Sequence, residues 1–195
     1  MIIAFEGPDK VGKSTSAKEL TYSGFPTYNM TAANYQKCRE MLQDEQTITH
    51  CFDRIDWFTH MVYRLALPGY EWNDERPRTV FTAPDVHLVF KLHRRDTLLP
   101  KDELYEDDQL VKVNNMYYSM LSWLSDLNAE LDFSLFKTIS LMEIDRTDGF
   151  SQQLRFMHSP NKLYHEDADV AHVDSTAKLH KLLQQEDHRI IANGR

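Results

Sequence analysis

A chain of 195 residues with 30 acidic and 22 basic side chains carries a formal charge of -8, and 42% of its residues are hydrophobic. That length fits one domain with a small appendage, able to bury roughly 70% of its unfolded surface without disulfides. The acidic balance weighs against a general nucleic-acid coat or a binder of anionic membranes, so any phosphate chemistry needs a local positive site. Cys38 and Cys51 form neither a disulfide framework nor a metal-ligand spacing, and no apolar run is long enough to span a bilayer. The first strand starts at Ile2, leaving no room for a signal peptide, and the expectation is a soluble cytoplasmic protein.

In chain order, Met1 to Phe5 is a short apolar run that stops at Glu6-Gly7 and reads as a buried strand. A helix follows from Lys13 to Leu20, before Gly24 and Pro26 break the chain. "PTYNM" reads as a second strand, "YQKCREMLQ" as a helix and "TITHCF" as a third strand ending at Asp53-Arg54. "WFTHMVYRLAL" places Phe58, Met61, Val62 and Leu65 at helical intervals. "VHLVFKL" is the clearest later strand, and the charged stretch from Lys91 to Asp108 reads as a mobile loop. "VKVNNMYYSMLSWLSDL" is a long amphipathic helix, and "KTISLMEI" a strand ending at Asp145. The tail is rich in His, Asp and Lys, with "STAKLHKLLQQ" as a helix. Its histidines, from His158 to His188, lack metal-ligand spacing and read as surface residues. Strands alternating with helices imply a five-stranded parallel sheet covered on both faces, a three-layer α/β/α arrangement.

The chemistry is carried by "GPDKVGKS", residues 7 to 14, which fits G-x-x-x-x-G-K-[ST] completely, between an apolar strand and a helix. A chance match in a chain of this length has a probability of about 1%. A polyphosphate is surrounded by backbone N–H groups only where no side chain intervenes, which assigns Gly7 and Gly12 to the turn. Together with Val11, they form the loop that leads into the helix N-terminus. Lys13 supplies a point charge at the β/γ-phosphates, Ser14 an oxygen for Mg²⁺, and Thr15 continues the binding turn. Asp9 is repelled by phosphates and is expected to face another part of a ligand, while Lys10 adds a second cation toward the γ-phosphate. Asp53, at the end of a parallel strand, lies beside the loop and is placed to help hold Mg²⁺, and Arg54 offers a bidentate fork for a phosphate.

"FEGPDKVGKST" resembles the first motif of the thymidylate kinases and their compact phage-type relatives, and "CFDRIDWFTHMVY" resembles the second. The resemblance implies a P-loop nucleotide kinase domain over residues 1–157, with a lid at about 93–108, and residues 158–195 as a partly helical extension. It implies that Asp9 contacts the acceptor's sugar, that Lys10 donates charge to the γ-phosphate and that Arg54 holds the acceptor's monophosphate. Lys91, His93, Arg94 and Arg95 fall where these kinases have their lid, and Arg94 and Arg95 are both candidates to close over the migrating group. Trp57, Phe58 and Tyr63 offer aromatic faces that fit either a base sandwich or a core. Asp145-Arg146 is a rival Asp-Arg pair at a strand end; motif order favours Asp53-Arg54, and the resemblance then implies that Asp145 falls near the adenine end of the donor site. The chain departs from the family after the first helix, where its Arg-bearing segment is missing and Arg39 is the candidate to replace it. The helix that reads thymine is absent as well.

The expected activity is transfer of the γ-phosphate of ATP, with Mg²⁺, to a deoxynucleoside monophosphate, thymidylate or a related modified pyrimidine nucleotide. The alternatives are a kinase for a hydroxyl of a deoxynucleoside or of a modified base or 5′ end in DNA, and a non-catalytic nucleotide switch. The expected partner is a small-molecule nucleotide, with room for a homodimer and no membrane or nucleic acid.

Overall fold

A computed structural model of the chain describes residues 1–22, 24–30, 36–37, 40–41, 48–67, 69–70, 83–95, 99, 106, 108–130, 136–146, 152–159 and 171–172. The elements are β1 (Ile2–Glu6), α1 (Lys13–Tyr22), β2 (Thr27–Asn29), β3 (His50–Asp53), α2 (Asp56–Ala66), β4 (Ala83–His93), α3 (Gln109–Glu130), β5 (Phe136–Arg146), β6 (Gln152–Ser159) and β7 (Ala171–His172). They build one seven-stranded sheet in the order β2-β3-β1-β4-β5-β6-β7. The first five in that order run parallel, as the alternation of strands and helices predicts, and β6 and β7 add on antiparallel.

β1 is buried along its whole length because both faces of the sheet are covered, which explains its unbroken apolar run. Ile3 and Phe5 turn to one face and meet Ala17 and Leu20 of α1, with Cys51, Val89 and Met142 from neighbouring strands. Ile2 and Ala4 turn to the other face, into a larger core with Phe58 and Val62 of α2 and Val113, Tyr117, Leu121 and Leu124 of α3. In α3 the buried positions Leu110, Val113, Tyr117, Met120, Leu121 and Leu124 recur at helical intervals. α2 follows its expected stripe except at Leu65, which is exposed, while Tyr63 is buried.

Three expectations change. The sheet is wider than five strands, because the chain after β5 folds back on it as β6. The 157/158 border lies inside β6. The charged stretch begins as strand: Lys91 and Leu92 close the expected "VHLVFKL" and His93 extends it, paired with Met142, Glu143 and Ile144 of β5. Most of the expected lid, the helix "STAKLHKLLQQ", and Arg39 lie outside the described residues. Among the described residues no helix is long and apolar enough to cross a membrane.

Candidate functional site: a phosphate loop between two strand ends

The strand order reverses at β1, and the loop from Gly7 to Gly12 opens at its carboxyl end, where open α/β sheets bind ligands. Gly7 (φ 151°) and Gly12 (φ 81°) both hold backbone conformations that L-residues rarely adopt. A Cβ on Gly7 would lie 2.0 Å from the Lys91 carbonyl oxygen, so the close approach of β4 also demands glycine there. Val11 anchors the loop by complete burial, and Lys10 stands exposed at its tip with φ 63°.

Lys13 is 4% exposed, and its Nζ donates to the carbonyl oxygens of Gly7 at 2.8 Å and Pro8 at 2.5 Å. Burial, and next the charge of Arg54, push this ammonium down to about 7, so an anion arriving in the loop would favour its charged form. Ser14 and Thr15 are exposed on the first turn of α1, which carries no acidic residue to compete for an anion.

Arg54 follows β3 with φ 80°, held by its N–H on the Phe5 carbonyl at 3.0 Å. Its Nη2 pairs with Asp9 Oδ1 across the mouth of the loop. Tyr63 of α2 donates its hydroxyl to Asp9 Oδ2 at 2.9 Å and accepts the Asp9 N–H at 3.2 Å. Burial raises the Asp9 carboxyl, but the charges of Arg54 and Lys13 outweigh it and leave the group below the usual range, ionised. A non-glycine residue in a strained backbone conformation beside a phosphate loop is the kind of position that persists because a site requires it.

Behind the loop, Glu6 is wholly buried. Its carboxylate accepts the Ile55 N–H at 2.5 Å, the Thr59 hydroxyl at 2.9 Å and the Tyr117 hydroxyl at 3.0 Å. Glu6 thus ties β1 to the turn after Arg54 and to α3. Lys91 is the other group that composition alone did not assign to the loop: its Nζ donates to the Gly12 carbonyl at 2.9 Å and to Ser16 Oγ at 2.6 Å. The signal for both was present, since a charged residue inside an apolar run ("IIAFE", "LVFKL") needs a buried partner.

Asp53 is 5% exposed, and among the described residues its Oδ1 has no hydrogen-bond partner. A buried carboxylate oxygen left open beside a phosphate loop, with the Ser14 hydroxyl on the first helical turn, fits Mg²⁺ held partly by water and nucleotide oxygens. Among the described residues no group of three or more His, Cys, Asp or Glu forms an all-protein metal cage.

The structure thus gathers Gly7, Asp9, Lys10, Gly12, Lys13, Ser14, Asp53, Arg54 and Tyr63 at one end of the sheet. Phe58 belongs to the core, 1% exposed. Trp57 lies in α2 with its side chain outside what the structure describes, as do the side chains of Asp145 and Arg146 in β5. His93 is buried, with its backbone N–H and C=O bonded to the Asn114 side chain at 3.0 and 2.9 Å. Arg94 donates its N–H to Ile144 O at 3.0 Å, and the Arg95 guanidinium lies 4.4 Å from the Tyr118 ring centroid. Both arginines therefore start from the end of β4, on the loop side of the sheet.

This combination defines a three-layer α/β/α protein of the P-loop fold. No protein-family model matches the chain, and no curated protein does. Among solved structures it is similar to the crystal structure of YorR protein from Bacillus subtilis in complex with phosphorylated GDP. The TM-score is 0.52 and the identity 14%, over 96% of this chain and 98% of that one. At that identity the likeness is one of fold.

Proposed function

We propose that the chain transfers the γ-phosphate of ATP to a deoxynucleoside monophosphate, a thymidylate kinase-like activity on thymidylate or a modified pyrimidine nucleotide. The observation that carries this reading is the Asp9–Arg54 pair: a guanidinium held at the mouth of a phosphate loop from a strained backbone position. The likeness in fold to a protein crystallised with phosphorylated GDP supports a nucleotide at that loop.

In this reading an oxygen of the acceptor's phosphate attacks the γ-phosphorus, and the bond from that phosphorus to the ADP oxygen breaks. The acceptor is already ionised, so no general base and no covalent enzyme intermediate are needed. Arg54 leaves Asp9 to grip the acceptor's phosphate, and Asp9, still held by Tyr63, turns to the sugar. Lys13 leaves the Gly7 and Pro8 carbonyls for the donor's phosphates, Lys10 reaches the γ-phosphate from the loop tip, and Arg94 or Arg95 closes from the end of β4. Ser14 and Asp53 would hold Mg²⁺, which would supply charge neutralisation on the phosphates. The alternative acceptor, a hydroxyl of a deoxynucleoside or of a modified base or 5′ end in DNA, draws on the same ionised Asp9 as a base.

A coupled ADP-release assay across the deoxynucleoside monophosphates, with 5-modified pyrimidines included, beside the parent nucleosides, tests this. Turnover on monophosphates is expected, falling on the order of a hundredfold in K13M. In R54A the loss should appear chiefly as a raised KM for the acceptor, by roughly tenfold or more. Turnover on nucleosides alone would sink the monophosphate reading in favour of the hydroxyl one.

A further inference from the structure

We propose that Lys91 is a positioning residue of the phosphate loop: from inside β4 it fixes the peptide between Gly12 and Lys13 and sets a buried positive charge behind the cradle, so that affinity for a polyphosphate depends on it and affinity for the nucleoside does not. The inference rests on the reading of this loop as the nucleotide site.

β1 and β4 pair up to Glu6 with Phe90, which brings Lys91 level with Gly7. β4 then touches the loop at both ends through one residue. The Lys91 carbonyl oxygen occupies the space a Gly7 side chain would need, and its Nζ lies 3.4 Å from where a Cβ on Gly12 would be. The ammonium is 5% exposed and bonds the Gly12 carbonyl and Ser16 Oγ. That same carbonyl accepts the Ser16 N–H at 3.2 Å, an opening bond of α1. Lys91 therefore staples the end of the loop to the first turn of the helix.

Two consequences follow from the geometry. A trans peptide is planar with its C=O and N–H opposed, so holding the Gly12 oxygen on Lys91 sets the direction of the Lys13 N–H. That N–H leaves the helix N-terminus on the side where an anion binds. The Lys91 Nζ also brings positive charge, inside the protein, beside the partial positive charge of the α1 N-terminus. The attraction grows with each phosphate on the ligand and vanishes for a ligand with none. Adenosine would feel neither effect.

The test uses binding with no acceptor present: displacement of a fluorescent ATP analogue by adenosine, ADP and Mg·ATP from wild type, K91M and S16A. Methionine matches the length of lysine and removes the charge. For K91M the expected result is adenosine affinity within twofold of wild type, with a loss of roughly tenfold for ADP and a larger one for Mg·ATP. S16A keeps the charge and removes one of its acceptors, and its loss should be smaller, about threefold, with the same dependence on phosphate number. S16A also keeps the proposal testable if K91M does not fold. Equal losses for adenosine and Mg·ATP, or none for Mg·ATP, overturn the proposal, since a merely structural lysine would not discriminate by phosphate count. A wild type that binds Mg·ATP but turns over no monophosphate would end the kinase reading and leave this one standing. A wild type that does not bind Mg·ATP overturns both.

Discussion

Glu6 has no access to water, and burial is the largest influence on it, pushing its carboxyl up to about 7 against the pull of the Ile55 N–H and the Arg54 charge. Thr59 and Lys13 act in the same downward direction, and the Tyr117 hydroxyl completes its surroundings. An acid with a raised pKa holds its proton more tightly folded than unfolded. Its contribution to stability is complete below about 4.5 and is lost as pH rises through about 7. Urea unfolding of wild type and E6Q between pH 4.5 and 8 should therefore diverge. The glutamine keeps an oxygen for the Ile55 N–H and does not titrate, so wild type should lose stability relative to E6Q as pH rises through this window, and the gap should level off above it. A constant difference would show that Glu6 ionises as freely folded as unfolded. At this scale the loop motif, Asp53 and Arg54 were legible in the sequence because their spacing is local. The partners of Glu6 and Lys91 were not, since Tyr117 lies 111 residues from Glu6 and Ser16 lies 75 from Lys91.

The end of β4 is tied to α3 by the Asn114 side chain and by the Tyr118 hydroxyl, which donates to the His93 carbonyl at 3.2 Å. Asn114 accepts the His93 N–H and donates to the His93 carbonyl, both in a buried place. N114A removes the bond to the buried His93 N–H, while the His93 carbonyl keeps the Tyr118 hydroxyl, and a destabilisation of about 1–2 kcal/mol is expected in urea unfolding. The neighbouring N115A, on the exposed side of the same helix, should stay within about 0.5 kcal/mol of wild type. Equal effects would mean that the clamp contributes nothing beyond helix propensity. The elements with a strong period were legible: α2 and α3 show the helical interval, and β1, β4 and β5 are apolar runs buried on both faces. β6 was missed because "QQLRFMHS" mixes polar and apolar residues and pairs antiparallel to β5, outside the repeat of parallel strands that the rest of the chain sets up. The expected strand "VHLVFKL" already ran through Lys91 and Leu92; only His93 was missed at its end, because a histidine before two arginines suggests solvent, whereas it is buried.

In the whole molecule, β1 lies between two parallel neighbours while β2 is a three-residue strand at the sheet's edge. Native-state hydrogen exchange at low denaturant should find the β1 amides opening only with global unfolding, and those of Thr27 to Asn29 opening locally with far less energy. Matching exchange in the two strands would mean that the sheet has no central stable unit. The strand content was legible from the sequence, but the strand order was not, because it depends on which edge each crossover packs against. That order has a consequence during synthesis. The hydrophobic "IIAF" is made before its hydrogen-bonding neighbours: β3 begins 44 residues after Glu6, and β4 later still. At ribosomal speed that is roughly 2–9 s in which a sticky, unpaired strand is exposed to chaperones or to other nascent chains.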